Sequence, residues 1–368
     1  MRKMLNSFEV STFVFYIMRC SFVGITINNL ILVAKQDGYI SIILGFIIGF
    51  IPLLLYLYLM NYKKQYNIND LIELCFGKTI GRFINLALCC FLLYLSTVIF
   101  WNLTNLITSQ YLSRTPAMAI GIMFIVPTIY LLSKGIGIIG KCSVIFFYFS
   151  LILVILPILG LQFQVHLDNI MPIFEHGIMP ILDGSYQYIA NSVLVLFLLL
   201  SIPKEMIQDD HKFNKRIITM YCVTSVILFS ILFLTITVFG ARLATLYQYP
   251  EFHLLKRVSI IGFIQRIEST LSIQWIFDIF MTNILTLYFV CHYLTKTFRL
   301  QQKWKRNTLI TCLSILVLIS SNYVFTNNTI GTLFFKNTFP TVLYGVLLSL
   351  PLLVAIISKF KKNKSFQA

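Results

Sequence analysis

The sequence predicts an all-α integral membrane protein with ten transmembrane helices, and three observations lead to this prediction. First, 58% of the 368 residues are hydrophobic and only 11% are charged, which leaves too little polar surface to cover a water-soluble globule. Second, apolar runs of about 20 residues, the length that crosses a bilayer as a helix, recur along the whole chain. Third, the basic residues are concentrated in alternate connections between these runs.

Each apolar run is long enough for one membrane span. The ten predicted spans cover residues 8–33, 39–60, 83–109, 117–133, 142–163, 184–203, 216–240, 269–295, 307–325 and 339–358. The first run is too long for a cleaved signal peptide and lacks a small-residue cleavage pattern, so we expect it to remain as a helix. Most connections are short, which predicts a single membrane domain over residues 1–368.

The positions of the basic residues predict the orientation of the chain. With the N-terminus placed in the cytoplasm, 21 of the 29 Lys and Arg residues fall in cytoplasmic segments, 7 in outer segments, and one, Arg19, within the first span. Because cytoplasmic loops carry the excess of Lys and Arg, both termini are predicted to be cytoplasmic. This bias also explains the net charge of +16 without a nucleic-acid partner.

Four of the seven outer basic residues lie in one connection, 241–268, which is the exception to that bias. Apolar residues recur there at three- and four-residue spacing, at Leu254, Leu255, Val258, Ile261 and Ile264. The charged residues take the other positions, at Glu251, Lys256, Arg257 and Arg266. This pattern predicts an amphipathic lid helix over residues 251–268, lying on the outer face with its basic residues toward headgroups or water.

The sequence carries no pattern typical of catalysis. The eight cysteines form no CxxC pair, and His166 and His176 share a loop without flanking ligands, so we predict neither a disulfide framework nor a metal site. A phosphate-cradling glycine loop, an HExxH motif and a Ser/His/Asp set in a hydrolase context are all absent from the sequence. We therefore expect neither an enzyme nor a cofactor.

Three stretches resemble the spore-germination permease family, the membrane B subunits of nutrient germinant receptors. They are SFEVSTFVFYIMRCSFVGI (7–25), NIMPIFEHGIMPILDG (169–184) and YPEFHLLKRVSIIGFIQRIESTLSIQWIF (249–277). This family is a branch of the amino acid/polyamine/organocation transporters. The resemblance implies a LeuT-type fold of two inverted five-helix repeats, about 8–163 and 184–358, with a ligand pocket at mid-membrane where helices 1 and 6 unwind. Unwound backbone suits a polar ligand because it offers unpaired N–H and C=O groups.

The resemblance directs attention to polar residues within the first and sixth spans. In span one, Gly24 permits the backbone to leave the helix, and its neighbours Ser21, Ile25 and Thr26 are the other predicted ligand-binding residues. In span six, Asn191 and Ser192 mark the predicted break, where the family pattern would have a glycine followed by an acidic residue. For span one, the alternative is that its small and hydroxyl residues only allow close helix packing. For span six, either side-chain amides stabilise the break, or the cationic group of the ligand lacks its usual acidic neighbour.

Span three has a polar stripe in its outer half. Thr97 and Trp101 are its predicted ligand-binding members, and Thr104 and Thr108 continue it. Such polarity is costly against lipid, so this face should line a watery or protein-enclosed vestibule. Hydrogen bonding between helices is the alternative explanation.

Span eight carries Gln274, Asp278, Thr282 and Thr286 at steps of four, of which Asp278 and Thr282 are predicted ligand-binding residues. At 1.5 Å per residue, Asp278 lies about 14 Å below the outer boundary and Arg19 about 16 Å above the inner one. An unpaired charge at that depth costs at least about 2.5–3.5 kcal/mol. We therefore predict a charge pair between Arg19 and Asp278, standing where a LeuT-type fold would hold sodium, unless backbone carbonyls or water satisfy each charge separately.

Taken with the resemblance, these features predict a nutrient germinant-sensing subunit in the inner membrane of a bacterial spore. It would bind an amino acid or a nucleoside at mid-membrane and signal to germinant receptor A and C subunits. A proton-coupled amino acid transporter is the alternative function, and a scaffold with a vestigial site is a third.

Overall fold

The computed structural model describes residues 5–257, 268–325 and 327–365, and these ranges are built almost entirely of helices. The α-helices are α1 Ser7–Cys20, α2 Ile27–Ala34, α3 Gly38–Tyr62, α4 Ile68–Phe76, α5 Lys78–Gln110, α6 Ala117–Lys134, α7 Ile136–Leu161, α8 Met179–Tyr188, α9 Asp210–Ala244, α10 Pro250–Leu255, α11 Glu268–Leu271, α12 Ile273–Thr297, α13 Lys303–Ser321, α14 Asn328–Asn337, α15 Phe339–Leu343 and α16 Ser349–Ser365. The β-structure in the same ranges is one isolated bridge between Leu5 and Ile207.

Within the described ranges, eight helical segments are long and apolar enough to cross a membrane. The sequence predicts ten, and the spans 8–33 and 307–325 account for the difference. The first is interrupted after α1, and its remainder is continuous with α3 in one segment, Ile27–Tyr62. The second corresponds to α13, whose first four residues include Lys303, Lys305 and Arg306, so its mean hydropathy is low for its length.

The first span begins with a well-formed cap and breaks at a glycine. Asn6 caps α1 because its side chain accepts from the Phe8 N–H while Glu9 accepts from the Asn6 N–H. The helix ends at Cys20, and the five residues Phe22–Thr26 form a π-helical turn before α2. Gly24 has a φ of +72° within this turn, a conformation that residues with a Cβ rarely adopt.

The predicted sixth span also changes its helical type near its middle. After α8, residues Ile189–Val193 form a π-helical turn and Leu194–Ser201 form a 3₁₀ helix. Pro203 follows shortly, which restricts the backbone of Ile202 to an extended conformation. In an apolar stretch of 18 residues within this segment, 94% of the residues are buried. The segment therefore forms the centre of the bundle and not its lipid-facing surface.

The two irregular turns lie side by side in the core. The turn Phe22–Thr26 packs against Ile189–Val193, and the Phe22 and Tyr188 rings meet edge to face with centroids 6.5 Å apart. Around them, α1 packs against α7, α9 and α12, and α12 packs against α5. This packing places polar groups of α1 and α12 next to each other inside the bundle.

The connection after α9 differs from the predicted lid. Residues 258–267 of the predicted 251–268 helix, including Arg266, lie outside the described residues. The described part consists of the short helix α10, the exposed residues Lys256 and Arg257, and Glu268, which begins α11. The pattern places Glu251 on the polar face of the lid, and this prediction is wrong. Glu251 lies in α10 with only 1% of its surface exposed.

Candidate ligand-binding site

Arg19 and Asp278 meet at the centre of the bundle. Arg19 Nη2 lies 3.0 Å from Asp278 Oδ2, with 1% and 0% of the two side chains exposed. The same nitrogen donates to Gln274 Oε1 at 2.7 Å, and the guanidinium lies 4.5 Å above the Phe15 ring. The charge of Arg19 is therefore compensated by a carboxylate, an amide oxygen and an aromatic face, all deep in the protein.

A second buried acidic side chain, that of Glu251, contacts the backbone where the first span is interrupted. The Gly24 N–H donates to Glu251 Oε1 at 2.6 Å, joining α10 to a turn that is 227 residues earlier in the chain. The helical bond that this N–H would make is lost where the backbone turns, so an acceptor from another element is required. Glu251 Oε2 is buried and has no hydrogen-bond partner within the described residues.

The pKa of Glu251 differs strongly from its ordinary value. Burial raises the pKa of this carboxyl from 4.5 to about 8, against the smaller opposing effect of the N–H groups of Glu251 and Gly24. Gln274 contacts Arg19 and lines the same small cavity as Glu251.

Tyr249 packs directly against Gly24. A Cβ built on Gly24 would lie 2.1 Å from Tyr249 Cε1, so the ring occupies the space that any side chain at position 24 would need. Asn105 Nδ2 of α5 donates to the Tyr249 hydroxyl at 2.8 Å and fixes the ring. The absence of a side chain at position 24 therefore serves both the backbone turn and the close approach of Tyr249.

Next to this contact lies a cavity of about 210 Å³. Its walls come from the turn at Gly24, from α2, from α5, from residues 245–249 and from α14, and they include Gly24, Asn28, Asn29, Leu32, Trp101, Asn102, Thr245, Tyr249 and Phe335. Asn28 Nδ2 donates to the Tyr247 carbonyl at 2.6 Å, whereas Asn29 Nδ2 is buried without a partner in the described chain. The wall of the cavity thus combines aromatic rings with one unpaired amide, that of Asn29.

Only part of the polar stripe of span three reaches this cavity. Trp101 and Asn102 line it, and the Trp101 ring packs edge to face on Phe325 with centroids 4.7 Å apart. Thr97 instead contacts the Ser320 hydroxyl of α13 at 2.9 Å. The Thr104 hydroxyl donates to carbonyls of its own helix. Thr97 thus makes the hydrogen bond between helices of the alternative explanation, whereas the Thr104 hydroxyl is satisfied within α5.

The remaining predicted residues are distributed around the two irregular turns. Thr26 donates to the Ser21 carbonyl at 2.8 Å and Thr282 to the Asp278 carbonyl at 2.8 Å, so both hydroxyls bond locally. Asn191 and Ser192 are fully buried, and their side-chain polar atoms have no partner in the described ranges. The side chain of Ile25 is not among those described.

Sequence reasoning missed Glu251, Tyr249 and Asn105 as members of the site. A signal for Glu251 is present, since it is one of two acidic residues in the otherwise basic 241–268 connection, lies far from the other, Glu268, and follows Pro250. Tyr249 and Asn105 carry no such signal, because tyrosine and asparagine are common in outer connections and polar helix faces.

The helices and their enclosed polar groups define an all-helical, multi-pass membrane protein. Residues 9–329 match the family described as "Spore germination protein", and the chain belongs to this family. It is 29% identical to spore germination protein A2 of Bacillus subtilis (strain 168) over 276 residues, 73% of each chain. It is 22% identical to spore germination protein YndE of the same organism over 335 residues, 89% of each chain, and 24% identical to spore germination protein XB of Bacillus anthracis over 307 residues, 80% of this chain and 82% of that protein.

Proposed function

We propose that the chain is the germinant-binding membrane subunit of a spore germinant receptor, and that it binds a small amino acid at the break in helix 1. The observation that carries this proposal is the hydrogen bond of 2.6 Å from the Gly24 N–H to a carboxyl oxygen of Glu251. A backbone N–H that donates to a carboxyl oxygen from another element is suited to bind the carboxylate of a ligand. Glu251 then occupies the ligand's carboxylate position in the unliganded protein and leaves it when ligand binds.

The size of the cavity favours an amino acid over a nucleoside. Pockets for drug-sized ligands have volumes of about 300–1,000 Å³, whereas the cavity beside Gly24 has about 210 Å³. The unpaired amide of Asn29 on its wall and the unpaired groups of Asn191 and Ser192 behind the turn are available to a polar ligand. We propose that Tyr249 moves with Glu251 to join these groups into one site.

The proposal includes a LeuT-type arrangement of ten spans, with inverted repeats over about 8–163 and 184–358. The irregular turns Phe22–Thr26 and Ile189–Val193, each within the first span of its repeat and packed together, support it. The Arg19–Asp278 pair would replace sodium between spans one and eight. We further propose cytoplasmic termini, a location in the inner spore membrane, and germinant receptor A and C subunits as partners.

Ligand binding to the purified full-length chain in nanodiscs tests the proposal. A panel of amino acids and nucleosides should contain an amino acid that, at 100 times its Kd, stabilises the protein by about 2.7 kcal/mol in thermal unfolding. Ser192→Ala should weaken this binding. Ser150→Ala is the matched control, since Ser150 is an equally buried hydroxyl of α7 without a partner among the described residues. If no amino acid binds, or if both variants bind like the unchanged chain, the proposed site is wrong.

Displacement of Glu251 predicts that ligand affinity rises with pH. The closed arrangement holds Glu251 with a pKa of about 8, whereas an exposed glutamate has a pKa near 4.5, so the closed arrangement binds an extra proton between these values. Raising the pH through this window destabilises the closed arrangement and favours opening. We expect the Kd to fall by about 50-fold between pH 6 and pH 8, as measured by calorimetry, and to level off above pH 8.

Glu251→Gln should abolish this pH dependence because glutamine keeps the acceptor for Gly24 but does not titrate. Glu175→Gln is the matched control, since Glu175 is a half-exposed residue of the outer loop. The control should retain the slope of the unchanged chain. An unchanged slope in Glu251→Gln would show that another group titrates.

A proton-coupled amino acid transporter is the second candidate, and the raised pKa of the buried Glu251 favours it, since such a group can carry a proton. Proteoliposomes with an inward proton gradient separate the two functions. If the chain is a sensor, labelled ligand should be retained at no more than one molecule per chain. Accumulation that collapses with the gradient would establish transport instead.

A further inference from the structure

We propose that an anionic phospholipid binds in a groove between α1, α7 and α9, at the end of α9 where its basic residues lie. The groove has a volume of about 430 Å³ and lies apart from the cavity beside Gly24. Its lining consists of three cations, two hydroxyl residues and five apolar residues, namely Lys212, Lys215, Arg216, Ser11, Thr219, Phe8, Phe147, Leu151, Met220 and Val223. This combination matches a phosphate headgroup with an attached acyl chain.

The polar and apolar parts of the groove follow each other along α9. Lys212, Lys215 and Arg216 are spaced by three and four residues, so they lie on one face of its first two turns. Met220 and Val223 continue that face by one to two turns, about 6–11 Å further along at 1.5 Å per residue. A headgroup at the cations therefore places the first part of an acyl chain against the apolar residues.

The three cations are not equally compensated. Arg216 Nη1 donates to Asn6 Oδ1 at 2.7 Å and to Ser7 Oγ at 2.5 Å, and it lies 3.7 Å from the carboxylate of Asp209. Lys212 and Lys215 are exposed and make no ion pair with any residue that the structure describes. Arg216 is thus held in place beside two lysine ammonium groups that have no ion-pair partner in the described ranges. The single negative charge of Asp209 cannot neutralise all three cations, so the cluster attracts a phosphate group.

The apolar part of the groove faces the bilayer and not the core. Val223 is 40% exposed, and its neighbours Val226 of α9 and Tyr148 of α7 are 64% and 56% exposed. Phe8 and Phe147 form its floor, with their rings edge to face and centroids 5.9 Å apart. A free phosphate ion would leave this apolar floor uncovered, whereas a phospholipid covers it and brings the negative charge as well.

Competition between lipids tests the headgroup part of the proposal. The full-length chain, purified in detergent, is mixed with phosphatidylglycerol and phosphatidylcholine of identical acyl chains, and bound lipid is counted by native mass spectrometry. The unchanged chain should prefer phosphatidylglycerol. In the double variant Lys212→Gln with Lys215→Gln, the ratio of bound phosphatidylglycerol to bound phosphatidylcholine should fall about tenfold. The matched control is Lys303→Gln with Lys305→Gln, two exposed lysines that begin α13. Equal losses in both double variants would mean diffuse attraction and would overturn the site.

A second pair of variants tests the acyl-chain part. Val223→Trp fills the groove without changing a charge and should weaken binding of phosphatidylglycerol. Val226→Trp, one turn further along α9 and outside this groove, should not. The proposal is wrong if the two variants bind alike, or if inorganic phosphate displaces phosphatidylglycerol at equal concentration. Gel filtration and thermal unfolding of each variant separate loss of lipid from loss of fold.

Discussion

Arg19→Ala is expected to lower the free energy of unfolding by about 3–5 kcal/mol, the usual cost of removing one partner of a buried ion pair. The variant leaves the fully buried Asp278 carboxylate without the guanidinium that lies 3.0 Å away. Asp278→Ala should cost a similar amount, because Gln274 and the Phe15 ring then carry the whole compensation of a buried positive charge. Both losses are large relative to the total stability of a typical domain.

Thermal unfolding of the purified chain measures these losses. The charge-swapped variant Arg19→Asp with Asp278→Arg should recover part of the stability, since the two opposite charges remain adjacent. Lys296→Ala is the control, because it removes an ion pair with Asp70 in which the lysine is 58% exposed, and it should cost less than about 1 kcal/mol. If both single variants are as stable as the unchanged chain, the charges do not depend on each other.

Much of the helical architecture follows from local sequence. The apolar runs predict the long helices, and their ends follow from residues such as Gly77 and Gly135, which have positive φ before α5 and α7. The prediction is less successful at the segment 307–325, where the three cations that begin α13 reduce its mean hydropathy. A count of apolar runs does not weigh charges that lie just outside the run.

The site is less predictable because its contacts join residues distant in sequence. Gly24 indicates a break, since glycine alone adopts its φ without strain, but the acceptor for its N–H comes from Glu251, 227 residues away. The pattern of apolar residues places Glu251 on a polar face. In the structure it is buried instead, because it accepts the hydrogen bond of the buried Gly24 N–H. Similarly, Thr97 lies on a polar stripe, yet its hydroxyl meets Ser320 of another helix.

Gly24→Ala is expected to weaken ligand binding by about 10- to 100-fold, which corresponds to about 1.4–2.8 kcal/mol. Two effects combine in this variant. Alanine at a φ of +72° is strained by about 1–2 kcal/mol, and its Cβ would lie 2.1 Å from Tyr249 Cε1. The Tyr249 ring must then move, although Asn105 holds its hydroxyl, and the carboxylate position at the Gly24 N–H is distorted.

The two effects can be separated within this chain. Gly135 has a φ of +86°, and no atom of the described chain lies within 4 Å of the position that a Cβ would take there, so Gly135→Ala introduces backbone strain at a positive φ without the steric overlap. It should reduce stability by about 1–2 kcal/mol and leave ligand affinity unchanged. Adding Tyr249→Ala to Gly24→Ala removes the overlap and should restore part of the affinity. If Gly24→Ala and Gly135→Ala bind ligand equally well, the turn at Gly24 serves folding alone. Both variants carry backbone strain, so a difference in affinity can come only from contact with the ligand position.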